Sequence, residues 1–228
     1  MARARRGNDS LARPARGTGQ RRREVYIFTE GKVTEPGYLD IVRESGLPKD
    51  PALQVDMHIM NRKLKSDRKP LDLVDMAVAL KREKDREAKR AKVTLKSDLR
   101  PQFWCVFDHD NYPHLAAAMK QAKDDGIEVA FSHPCFEVWR LAHYQVVNGR
   151  FSGVCGGAAG RLPFAPGTVD AKEPKVVLPH QIVGRYETAK KNAEQMNGRH
   201  GEHVQKIDRD PYTDVYALVE RGLGISTY

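Results

Sequence analysis

A chain of 228 residues that is 40% hydrophobic can bury one core of real size and leaves little room for a second full domain. The formal charge of +9 is unevenly spread: residues 1–23 carry eight Arg against one Asp, a net +7, so residues 24–228 hold only +2. No stretch nears the roughly 18 consecutive apolar residues of a membrane span. Cys105, Cys135 and Cys155 form an odd set without C-x-x-C spacing, which argues against a disulfide framework or a structural zinc site and fits a reducing cytoplasm.

Residues 1–23 set Arg among Gly, Pro, Ser and Asn with no apolar stripe, the composition of a disordered basic tail. The apolar region of a secretory signal is missing, and only Leu11 could give a mitochondrial presequence its bulky face. Arg21, Arg22 and Arg23 are the candidate nucleic-acid-binding residues of this tail, by attraction to phosphates. A solubilising tail is the plain alternative.

Val25–Phe28 is a short apolar run of β-formers that stops at Thr29-Glu30-Gly31, the pattern of a buried strand running into a turn. Thr34, Glu35 and Pro36 then open a helix with a polar cap, a carboxylate and a first-turn proline, and Tyr38, Leu39, Ile41 and Val42 give it one apolar face. Leu53–Met60 alternates as a second strand. A long helix follows from Asp72 to about Lys92; its second half, KREKDREAKR, is either a solvated end laced with ion pairs or a basic ridge that tracks a phosphate backbone.

Phe103–Phe107 is the third buried strand, closed by Asp108-His109-Asp110-Asn111, and a helix over His114–Asp124 ends at Gly126. Ile127–Phe131 is the fourth strand and Cys135–Tyr144 the next helix, with Phe136 and Trp139 as core residues and Cys135 a small packed one. The alternation implies an α/β fold, an open parallel sheet flanked by helices on both faces. Residues 151–180 change to Gly, Ala and Pro without periodicity, a loop or insertion between the core of 24–150 and C-terminal helices in 181–228, expected over Gly184–Met196 and Thr213–Arg221.

Ligands of an open parallel sheet bind beyond the carboxyl ends of its strands. Glu30 lies at the first such end, Asp108 and Asp110 at the third, and Glu35 near the first helix start. Carboxylates so gathered repel one another unless a cation is present, and an all-oxygen set suits Mg²⁺ or Mn²⁺. Each signal alone is also ordinary turn chemistry. His200 and His203 have metal-like spacing in loop-like surroundings and read as solvated.

Four blocks in order, Phe28-Thr29-Glu30-Gly31-Lys32-Val33-Thr34-Glu35-Pro36, Val106-Phe107-Asp108-His109-Asp110, Ser132-His133-Pro134-Cys135-Phe136-Glu137-Val138-Trp139 and Asp210-Pro211-Tyr212-Thr213-Asp214-Val215, resemble those of the RloB-like family. The resemblance implies a TOPRIM-like sheet and a place in phage defence or restriction. It makes Glu30 the TOPRIM glutamate and Asp108 and Asp110 the Asp-x-Asp pair, with Glu35 and Glu137 as further acidic positions. Lys32, His109, His133 and Glu137 fall at the rim of such a site. Two departures stand out: His133 replaces an expected Asn, and the Gly/Pro-rich stretch replaces a more regular segment, so no catalytic lysine can be aligned there.

The expected activity is hydrolysis of phosphodiester bonds in DNA or RNA, with Asp108 and Asp110 holding Mg²⁺ and Glu30 either completing its shell or acting as general base. The alternative is a non-cutting accessory or sensor subunit of an ATPase-containing defence complex that binds nucleotide or nucleic acid. A degenerate fold with a structural role is a third reading, and a homodimer is left open.

Overall fold

The computed structural model describes residues 21–66, 68–164 and 175–228. In chain order these form β1 (Arg21–Thr29), α1 (Thr34–Ser45), β2 (Leu47–Pro48), β3 (Leu53–Ile59), α2 (Pro70–Arg90), β4 (Gln102–Asp108), α3 (Leu115–Asp125), β5 (Glu128–His133), α4 (Glu137–Ala142), α5 (Cys155–Ala159), α6 (Pro179–Ile182), α7 (Tyr186–Asn197), β6 (Tyr212–Thr213), α8 (Val215–Ala217) and β7 (Ile225–Thr227).

The main sheet runs β3-β1-β4-β5-β6. Pairings from β3 to β5 are parallel, and β6 closes the edge antiparallel to β5. The period of two in β1 divides its side chains between two cores. Val25 and Ile27 join Trp104 and Val106 under Tyr38, Leu39 and Val42 of α1. Tyr26 and Phe28 join Phe103, Cys105 and Phe107 under Leu73, Val74 and Ala77 of α2 and Ala118 of α3. Helices therefore cover both faces, and the parallel run of apolar strands is buried, as expected from VYIF and FWCVF. Because β3 lies to one side of β1 and β4 to the other, the winding direction reverses between β1 and β4, which opens a crevice at their carboxyl ends.

Four expectations need correction. β1 begins at Arg21 rather than after Arg23, and the three arginines serve the fold. Arg21 pairs with Asp50 at 2.8 Å and Asp98 at 2.5 Å, Arg22 pairs with Asp56, and the buried Arg23 donates to the carbonyls of Arg221 and Gly222. Their charges are matched or turned inward, so they offer phosphates little; residues 1–20 of the expected tail lie outside the described residues.

Cys135 and Cys155 are joined in a disulfide, contrary to the reading from cysteine spacing, and only Cys105 is free. The bond fastens the start of α4 to α5, whose neighbourhood forms a small third core of Val138, Leu141, Phe151, Ala158 and Leu162. Part of the stretch read as a loop is therefore packed structure, and residues 165–174 lie outside the described residues. The helix expected over Thr213–Arg221 is instead β6, the short α8 and a π-helical turn over Leu218–Gly222, after which β7 pairs antiparallel with β2. Among the described residues no helix is long and apolar enough to cross a membrane.

Candidate functional site

The crevice between β1 and β4 is where the acidic residues meet. Glu30 continues the pairing past the end of β1, its N–H donating to the Val106 carbonyl at 2.9 Å, while its Oε2 accepts the Asp108 N–H at 3.0 Å. One carboxylate thus spans the two strand ends. Glu35, in the first turn of α1, is 3% exposed and accepts the Gly31 N–H on Oε1 at 2.9 Å. A Cβ at position 31 would lie 1.7 Å from Glu35 Oε2, so the glycine of the Thr-Glu-Gly turn is what lets Glu35 enter.

Asp108 ends β4 with Oδ1 buried and without a hydrogen-bond partner. Glu137 opens α4, its Oε2 lying 3.3 Å from Cys155 Sγ; a sulfur in a disulfide carries no proton, so this is a contact rather than a hydrogen bond.

These carboxyls feel one another. Burial holds the Asp108 carboxyl well above the ordinary range, and Glu35, Glu137 and Glu30 push the same way. Burial raises Glu35 to about 7, with Glu137 and Glu30 adding to it. Glu30 is raised by burial and by Asp110, against the pull of the Asp108 N–H, Lys69 and Arg68. Asp110 itself is exposed, in the left-handed region at φ 39°, and acts on Glu30. Asp108 therefore feels Glu35, Glu137 and Glu30, while Asp110 is felt by Glu30.

The other rim residues divide. His109 stacks face to face on His133, with ring centroids 3.9 Å apart and planes 2° from parallel. His133 is buried, its Nδ1 donates to the Ile207 carbonyl at 3.1 Å, and burial followed by the charge of His109 holds its pKa down. Lys32 is exposed and donates to the Lys65 carbonyl at 2.7 Å. His200 donates from Nε2 to the Pro211 carbonyl at 2.8 Å, a structural role.

Two residues that position the site escaped the sequence reading. Asn61 grips Thr29 from both sides, accepting its N–H at 3.0 Å and donating to its carbonyl at 2.8 Å. The buried Arg68 donates to the carbonyls of Thr29, Glu30 and Gly31 at 2.9, 2.9 and 2.6 Å and to that of Asn61 at 2.7 Å. The turn that carries Glu30 is thereby clamped to the end of β3. A polar residue directly after an alternating strand, and an arginine just ahead of a helix-opening proline, were the only signals.

Oxygen-only ligands and the partnerless Asp108 Oδ1 fit a hard divalent cation. Among the described residues the one set of three ligand atoms within 4.8 Å of one another is Cys135, Glu137 and Cys155, and its two sulfurs are spent on each other. Gathering the carboxylates onto one ion therefore requires side-chain rotation, most simply by Glu30 leaving the Asp108 N–H. The apolar cleft lined by Leu53, Val55, Met57, Leu223 and Ile225 shares no residue with the acidic group.

A family model described as RloB-like protein matches residues 25–221. The chain belongs to the RloB-like family. The matched span runs from β1 to the π-helical turn, so every acidic residue of the crevice lies inside the RloB-like region. The chain matches none of the curated proteins and none of the solved structures with which it was compared.

Proposed function

We propose that this RloB-like chain is a TOPRIM-like nuclease, dependent on Mg²⁺ or Mn²⁺, that hydrolyses phosphodiester bonds of nucleic acid in anti-phage defence. The observation that carries the proposal is the buried Asp108 Oδ1 without a partner at the winding switch of the sheet, in a carboxyl on which Glu35, Glu137 and Glu30 act. Three carboxyls, Glu30, Glu35 and Asp108, are raised by burial and by their acidic neighbours, an arrangement costly to keep for structure alone.

Asp108, Glu35 and Glu30 would hold the cation, with Asp110 and Glu137 flanking. A divalent ion so held would supply positive charge for a phosphoryl oxygen and would lower the pKa of water. The chain's own residues do the rest. Asn61 and Arg68 keep the Glu30 turn rigid, so its carboxylate returns to one place. Glu35, raised to about 7 in the metal-free protein, exchanges a proton near neutrality, so proton and ion would compete for its carboxylate.

The test is cleavage of mixed DNA and total RNA by the purified protein with Mg²⁺, Mn²⁺ or EDTA, beside Asp108→Asn, which keeps size and shape. Metal-dependent cutting that the variant loses is the expected result and names the substrate class. Cutting retained by a correctly folded Asp108→Asn protein would overturn the proposed chemistry, and a wild-type protein inert until an ATPase partner is added would favour the accessory reading.

A further inference from the structure

An acidic crevice repels the polyanion it is proposed to cut, so something beside it must attract phosphates. The loop from β3 to α2 has the right charge and place. Residues 62–69 read RKLKSDRK, five cations against Asp67, a residue outside the described ones. Arg62 is committed to Asp40 at 2.7 Å and Arg68 to the clamp. Lys63, Lys65 and Lys69 are exposed, and among the described residues no carboxylate pairs with them.

The loop is also fixed relative to the acids. Asn61 binds Thr29 at its start and Arg68 binds the Thr29–Gly31 turn at its end, while Lys32 on that turn reaches across to the Lys65 carbonyl at 2.7 Å. Lys69 lies near enough to Glu30 to pull its carboxyl down.

The second half of α2 makes an instructive contrast. Its cations are interleaved with Glu83, Asp85 and Glu87; Lys81 pairs with Asp85 at 3.8 Å, Lys84 with Glu87 at 3.0 Å and Arg82 with Asp125 at 3.2 Å. The far end of this 21-residue helix also stands about 30 Å from its start at a rise of roughly 1.5 Å per residue. Basic residues there are numerous, partly neutralised and remote from the crevice.

We infer that Lys32, Lys63, Lys65 and Lys69 form a phosphate-backbone cradle that lays a nucleic-acid strand alongside the Glu30 turn. The inference rests on the phosphodiester reading of the crevice, but binding and cutting are separable. Contacts of this kind are independent of sequence and strongly salt-dependent, and each lysine on a phosphate adds about one to the slope of log affinity against log salt.

The experiment measures binding of short labelled single-stranded and duplex nucleic acid by fluorescence anisotropy, in EDTA, over a salt series. The combined Lys63→Ala, Lys65→Ala and Lys69→Ala variant is compared with a charge-matched Arg86→Ala, Lys89→Ala and Arg90→Ala variant at the far end of α2. The loop variant should bind roughly tenfold more weakly with a salt slope lower by about 2–3, while the α2 variant binds like wild type. All three lysines are exposed, so an unchanged melting curve shows that the fold survives. Wild-type affinity and slope in the loop variant, an equal loss in the α2 variant, or no binding by the wild type at low salt would each overturn the cradle. Lysine-dependent binding without any metal-dependent cutting supports the cradle and sinks the nuclease reading alone.

Discussion

Asp108 and Glu35 are carboxyls placed where a carboxyl is costly, and their replacement should show it. Asp108→Asn keeps the volume and removes a charge that burial and three neighbours oppose, so the metal-free protein should melt higher by roughly 2–4 °C, the equivalent of about 1 kcal/mol for a chain of this size. Added Mg²⁺ or Mn²⁺ should raise the melting temperature of the wild type and leave that of the variant unchanged; the reverse pattern in differential scanning fluorimetry would remove the cation from the site. Cation affinity should also fall as pH drops from 8 to 6, because Glu35, raised to about 7, takes up a proton that competes with the ion. Isothermal titration at both pH values in the same salt reads this directly. At Gly31 the steric argument is sharper: Gly31→Ala must evict the Glu35 carboxylate, so it should destabilise the protein by about 1–3 kcal/mol and weaken cation binding together.

Among the elements, strands and helices with a strong period were legible and the short or long-range ones were not. The apolar runs VYIF and FWCVF placed β1 and β4 because a parallel strand buried on both faces needs no alternation, and Glu30 and Asp108 followed from being the residues at which those runs stop. The strands of two residues, β2 and β6, are too short for any periodicity to register, and β6 exists because β5 offers it a free edge. Asn61 and Arg68 were invisible since their partner is the backbone of a turn more than 30 residues earlier in the chain, and no side-chain pattern advertises a carbonyl. Arg21, Arg22 and Arg23 misled for the same reason: Asp50 and Asp98 for Arg21, Asp56 for Arg22 and the carbonyls of Arg221 and Gly222 for Arg23 are all distant in sequence.

The disulfide is another such long-range event, joining cysteines 20 positions apart in sequence. Closing a loop of that length stabilises by about 3 kcal/mol on the chain-entropy account. Cys155→Ser, or mild reduction of the wild type, should lower stability by up to that amount in a denaturant titration. The smallest core, with Phe151, Ala158 and Leu162, should open first, seen as early amide exchange in residues 151–162.

On the scale of the molecule, two buried groups set opposing dependences on pH. His143 is fully buried; its Nδ1–H donates to the Trp139 carbonyl at 2.9 Å and its Nε2 accepts from Tyr228 Oη at 2.9 Å, which leaves the Tyr38 hydroxyl to donate to Tyr228 at 2.7 Å. Burial brings His143 down to about 4 from an ordinary 6.5, so its contribution is intact above 6.5 and is lost as pH falls toward 4. Glu35 runs the other way: raised to about 7 from an ordinary 4.5, it costs nothing below 4.5 and its full penalty above 7. Asp108 and Glu30, also raised, run the same way as Glu35, so in the metal-free protein the carboxyl slopes oppose that of His143 between pH 4.5 and 6.5. Glu35→Gln removes one of these carboxyl slopes, so the variant should gain stability relative to wild type as pH rises from 4.5 to 6.5. A profile unchanged from wild type, measured by denaturant unfolding across the range, would remove Glu35 from the account.

The clamp of Asn61 and Arg68 on the Glu30 turn also has a meaning in time. The acidic crevice needs residue 30 held by residues 61 and 68, then bridged to residue 108 and faced by residue 137, so no early stretch of the chain contains it. A domain is made from its N-terminus at roughly 5–20 residues per second. Several seconds of synthesis therefore pass with Glu30 emerged and its partners still unmade. On the nuclease reading, the ribosome that builds this protein works throughout that interval beside a chain that cannot yet cut the RNA around it.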